Sequence, residues 1–200
     1  MMKVIEYFLI PQSPWAYLGH ERLRQIAASH GATIEPKPFL LGERVFPQSG
    51  GLPLAQRPVQ RQAYRLLELQ RWSRFLAVPL NIHPAFFPVD GTQALQIIAL
   101  VVERHGSHAA LDLSGRYLKA VWADELNIAD PQVLVQLAEA CGLNGETLYA
   151  DREQAVALLE RNTQQAIDRQ VFGAPWYFYR NEPFWGQDRL DFLERALAET

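Results

Sequence analysis

Two hundred residues, 48% of them apolar, suffice for one medium domain with a sizeable core, or one domain carrying a large insertion. A formal charge of −3 and no basic run argue against nucleic acid or an anionic membrane as the main partner. The lone cysteine, Cys141, excludes an intramolecular disulfide, a CxxC redox pair and a cysteine-rich zinc site.

Met1-Met-Lys-Val-Ile-Glu6 leads straight towards a strand rather than a targeting sequence, and no apolar run is long enough to span a bilayer. A cytoplasmic location is the expectation. Val4 to Ile10 reads as a buried strand, broken by Pro11-Gln12-Ser13-Pro14. Ser13 then caps a helix whose first position is Pro14 and whose apolar side carries Trp15, Leu18, Leu23 and Ile26. Ala32 to Phe39 alternates as a second strand, so the first forty or so residues form a βαβ unit with parallel strands and a right-handed crossover.

Gly42 to Pro58 is punctuated as a loop. Helices are predicted over Val59 to Leu76, Thr92 to Arg104, Ser107 to Asp124, Pro131 to Cys141 and Arg152 to Gln170, with Val78 to Pro88 as an irregular connector. Strands return at Trp176 to Tyr179 and Pro183 to Trp185, a spacing that suggests a hairpin, and a helix capped by Asp188 closes the chain. The order βαβ, helical block, ββα is the thioredoxin arrangement in the α/β class: a four-stranded mixed sheet with a large all-helical insertion. Residues 1–50 and 171–200 are assigned to the thioredoxin-like domain and 51–170 to the helical insertion.

That arrangement brings the start of the first helix against the loop before the third strand, so Ser13 meets Ala174-Pro175. Proline opens the strand, either as an ordinary trans residue or through a cis peptide, and Ala174 is held extended with its own N–H and C=O free. A helix N-terminus stabilises a thiolate or carboxylate. Ser13-Pro-Trp-Ala16 keeps the C-P-x-C frame with both sulfurs gone. Disulfide exchange is thereby excluded at this site, but a hydroxyl there can donate to another molecule's thiolate and lower its pKa. The alternative for Ser13 is a helix cap and nothing more.

Ser13-Pro-Trp-Ala-Tyr-Leu-Gly19, Val171-Phe-Gly-Ala-Pro175 and Phe184-Trp-Gly-Gln-Asp-Arg189 together resemble the 2-hydroxychromene-2-carboxylate isomerase family, kin of kappa-class glutathione transferases on a DsbA-like thioredoxin fold. Pro38-Phe-Leu-Leu-Gly42, Leu69-Gln-Arg-Trp72 and Asn127-Ile-Ala-Asp-Pro131 extend the resemblance over nearly the whole chain. It implies glutathione as cofactor, with Ser13 at the glutathione sulfur and Ala174, before a cis Pro175, pairing with the cysteinyl backbone. Asp188 and Arg189 match a pair at the γ-glutamyl group, where a carboxylate suits the ammonium and a guanidinium the carboxylate. Arg61 matches a cation for the glycyl or substrate carboxylate. A homodimer acting on a small aromatic substrate is also implied. Two positions depart from the family pattern: Gly51 stands where an asparagine is common, and Ile10-Pro11 where an acidic residue often ends the first strand.

Trp15, Phe86, Phe87 and Trp185 are candidates for an apolar substrate pocket, with core packing as the alternative for each. His20, His30, His83, His105 and His108 show no metal-ligand spacing and read mostly as surface, so no metal is predicted. The expected activity is reversible thiolate addition to the double bond of an aromatic oxo-acid. Its rivals are a kappa-like transferase and a glutathione-binding module without catalysis. The absent CxxC removes a DsbA-like oxidoreductase.

Overall fold

The central strand is β1 (Lys3–Leu9), which sends Ile5, Tyr7 and Leu9 to one face of the sheet and Phe8 to the other. The computed structural model describes residues 2–199. After α1 (Pro14–Ser29), β2 (Ala32–Pro38) returns parallel to β1, with Lys3 opposite Ala32 and Leu9 opposite Pro38. On the other side of β1 lies antiparallel β3 (Trp176–Tyr179), followed by β4 (Glu182–Trp185), giving the order β2-β1-β3-β4. This is the expected four-stranded mixed sheet. The hairpin turn is shorter than predicted. Arg180 and Asn181 both have positive φ (51° and 66°), the two-residue turn that matches strand twist, so β4 starts at Glu182.

One face of the sheet is covered by Leu23 and Ile26 of α1 and by Leu190, Leu193 and Leu197 of α8 (Leu190–Ala198). The other packs Phe8, Trp176 and Phe178 against Phe39, Val45 and Ala166, the last on α7 (Val156–Asp168). A third cluster is helical and is built around α4 (Thr92–Trp122), with Trp122, Tyr117 and Ile98 fully buried. Gly106 (φ 81°, ψ 175°) interrupts α4, and so the two helices predicted there flank one non-helical residue.

Several predicted boundaries move. The loop expected from Gly42 holds a wide helical turn at Leu41–Val45, the short α2 (Phe46–Ser49) and a tight turn at Leu54–Gln56. Pro47 is tolerated because the first turn of a helix has no use for its N–H. α3 (Val59–Leu76) is as expected, and α5 (Pro131–Glu139) begins on the Asp130 cap, whose Oδ1 accepts from Gln132 N–H at 2.9 Å. α6 (Gly145–Asp151) was not predicted, although Asn144 caps it by accepting from Thr147 N–H at 2.9 Å. Arg152–Ala155 is a tight turn, so α7 starts only at Val156. Asp188 does not cap the last helix; it lies inside the turn Gln187–Arg189 that precedes it.

His20 is not a surface residue. It is 2% exposed on α1, with its Nε2–H donating to the Leu111 carbonyl of α4 at 3.0 Å and Nδ1 facing the Tyr7 hydroxyl at 3.5 Å. Burial pushes its pKa down to about 4. The unfolded chain therefore takes up this proton near pH 6.5 while the folded one resists it. Stability should be full above pH 6.5 and fall by on the order of 3 kcal/mol as pH drops towards 4. Denaturation midpoints across that window should fall in the wild type and be flatter in His20→Gln; equal slopes would refute the assignment.

Candidate functional site

β1 ends where Pro11 and Gln12 turn the chain, and Ser13 N–H donates back to the Ile10 carbonyl at 3.2 Å. Ser13 is extended (φ −85°, ψ 115°), and its Oγ accepts from Ala16 N–H at 3.1 Å, closing the first turn of α1. The same hydroxyl donates to the Ala174 carbonyl at 2.8 Å. The peptide between Ala174 and Pro175 is cis, and the Pro175 carbonyl accepts from Gly186 N–H at 3.0 Å. The two stretches singled out at opposite ends of the sequence are therefore joined by one hydrogen bond.

That junction borders an open cavity of about 890 Å³. One wall is α3; the other is made of Trp15, Ala174, β4 and the turn leading to α8. Of the residues named from sequence, Trp15, Ala174, Trp185, Asp188, Arg189 and Arg61 line it. Ser13 lies just beneath the surface, 6% exposed, with its proton committed to Ala174. Trp15 N–H, at the second position of α1, has no carbonyl one turn back to bond. Pro175 is buried behind Ala174.

Phe86 and Phe87 are not in the lining. Phe87 packs on Trp122 with ring centroids 4.8 Å apart, on the side of the helical core, and Phe86 is exposed away from the cavity. Their aromatic character was legible, but the course of the connector was not.

Other lining residues, Arg65 and Glu68 among them, escaped sequence reasoning. With Arg61 and Trp72 they recur at four-, three- and four-residue intervals, which puts all four on one face of α3. Arg57 precedes that face. The guanidinium of Arg65 is lowered to about 10 by burial and by Arg57, and Arg57 is lowered by burial and by Arg61. On the opposite side Gln187 is 1% exposed, and neither Oε1 nor Nε2 has a hydrogen-bond partner among the described residues. It reaches this depth because Gly19 has no Cβ, which would stand 2.7 Å from the Gln187 Cβ. Gly173 plays the same part behind Trp185, whose Nε1 would lie 2.3 Å from an added Cβ. Asp188 and Arg189 pair with each other at 2.9 Å, both partly exposed to the cavity. Cys141 follows α5, outside the lining, and burial pushes its thiol up, so it offers no ready thiolate here.

The DSBA-like thioredoxin domain model matches residues 3–198. The chain belongs to the DsbA-like thioredoxin family. Within that family it is 28% identical to a 2-hydroxychromene-2-carboxylate isomerase of Sphingobium xenophagum, over 100% of both chains. A kappa 1 glutathione S-transferase of Caenorhabditis elegans is 25% identical, covering 98% of this chain and 91% of that one. A solved 2-hydroxychromene-2-carboxylate isomerase superposes with a TM-score of 0.84 at 25% identity, covering 98% and 95% of the two chains. This DsbA-like domain carries serine where the redox frame would hold its first sulfur.

Ser13→Ala removes a cap acceptor and the donor to Ala174 together. It should lower unfolding free energy by about 1–2 kcal/mol in urea titrations, with Ser13→Thr keeping most of it. Unchanged stability in the alanine variant would mean that the junction carries no energy.

Proposed function

We propose that this protein is a glutathione-dependent isomerase of an aromatic oxo-acid. The observation that carries the reading is Ser13 at the start of α1, bonded to Ala174 before a cis proline, beside a cavity with charged groups at opposite walls. The similarity to isomerases and to a kappa glutathione transferase supports the same chemistry.

The residues present fit glutathione. Gln187 offers an amide donor and acceptor that nothing among the described residues satisfies, as a site built for a polar ligand would. Asp188 and Arg189 suit the ammonium and carboxylate of a γ-glutamyl group, Ala174 brings the backbone before a cis proline to the cavity edge, and Arg61 answers a glycyl carboxylate. When bound, glutathione supplies a thiolate that adds reversibly to a conjugated double bond, so that rotation about the resulting single bond precedes elimination.

The protein's own share is electrostatic and geometric. Ser13 can swing its hydrogen from the Ala174 carbonyl to a sulfur and, with Trp15 N–H and the positive end of α1, favour the anion over the thiol. Trp15 and Trp185 exclude water and orient a flat ring. A kappa-like transferase uses the same thiolate, and the Caenorhabditis elegans relative favours keeping that second reading; product analysis separates reversible isomerisation from a stable conjugate.

Calorimetry with glutathione should give micromolar to millimolar binding and an ultraviolet thiolate band near neutral pH. Ser13→Ala should lose most of that band, and Arg189→Ala should weaken binding about tenfold. No binding at millimolar glutathione would overturn the cofactor claim.

A further inference from the structure

The α3 wall holds more positive charge than glutathione needs. Arg57, Arg61 and Arg65 face the cavity, and the one carboxylate on that wall, Glu68, is already paired with Arg71 at 2.6 Å. A single glycyl carboxylate at Arg61 leaves two guanidiniums unanswered. On the far wall Asp188 and Arg189 stand together, 2.9 Å apart, where they suit the γ-glutamyl group, and Glu182 stands on β4.

Arg65 is the unusual member of the set. Its head lies over Phe87 and Trp122, 5.5 and 5.7 Å from the ring centroids, so its position is set by aromatic packing rather than by an ion pair. It has no hydrogen-bond or salt-bridge partner among the described residues. Arg57 is pinned by its Nε donating to the Leu52 carbonyl at 2.9 Å, which leaves the two terminal nitrogens of its fork free. A partly buried guanidinium held beside a second one costs stability, and a planar anion accepting two parallel N–H bonds relieves that cost. Tyr64, Trp72 and Phe192 supply aromatic surface close by.

We propose that Arg65, supported by Arg57, is the carboxylate-selecting subsite for the aromatic acid that shares this cavity, separate from the groups that hold glutathione. The inference rests on the reading of the cavity as a glutathione and aromatic-acid site. Arg65 fixes the acid group while the ring lies against the aromatic side of α3, which sets which end of the acid points towards Ser13.

The test compares 2-naphthoate with its uncharged amide, 2-naphthamide, by calorimetry on the wild type, Arg65→Gln, Arg65→Lys and Arg61→Gln, with glutathione affinity measured in parallel. The wild type should bind naphthoate at least tenfold more tightly than naphthamide. Arg65→Gln should erase that preference while changing glutathione affinity less than twofold, and Arg65→Lys, which keeps charge but loses the fork, should retain part of it. The proposal falls if the wild type does not distinguish acid from amide, if Arg61→Gln rather than Arg65→Gln removes the preference, or if Arg65→Gln weakens glutathione as much as naphthoate. Naphthoate selectivity that depends on Arg65 without any glutathione binding would sink the glutathione reading and leave the subsite standing.

Discussion

The hydroxyl of Ser13 is the joint on which the site depends. A hydroxyl has one hydrogen to give and two lone pairs to receive with. Here one lone pair closes the first turn of α1, and the hydrogen reaches the Ala174 carbonyl, 161 positions away in sequence. That contact is available only because β3 lies next to β1 in the sheet, antiparallel, with Phe8 opposite Trp176. The sheet therefore does more than form a core: it delivers the positive end of a helix to the backbone before a cis proline. Any ligand anion placed there competes with a carbonyl for the same hydrogen.

The two walls of the cavity are held in different ways. Trp15, Ala174 and the turn before α8 are fastened to the sheet, with Leu190, Tyr177 and Leu9 fully buried beneath them. α3 buries a single side chain completely, Leu69, and leaves Val59, Tyr64 and Phe75 largely exposed. Few buried contacts mean low local stability, so α3 is the wall that yields first. The unpaired arginines are on that wall, where self-repulsion is cheapest to tolerate.

Positions at junctions were legible in the sequence because local chemistry dictates them. Ser13 before Pro14 and Ala174 before Pro175 each follow from capping or from the missing proline N–H, whereas Asp188 resembles a helix cap in sequence and lies in a turn because Gly186 has positive φ. Side chains in the middle of elements were not legible in the same way. Nothing local says that Arg65 faces a cavity while Phe87 faces Trp122; both depend on where α3 and the connector settle against α4. His20 was misread for the same reason, since only the passage of Leu111 over α1 removes it from water. Asn144 is the opposite case: its cap for α6 is local chemistry carried by the sequence itself.

Gly173 has a bearing on how such a protein changes over generations. It touches no part of the cavity, yet a single added methyl would collide with the indole of Trp185, which forms part of the cavity's lining. Cavity size is thus coupled to a residue outside the lining, and a lineage selecting for a different guest has a lever that moves Trp185 without changing the identity of any lining side chain.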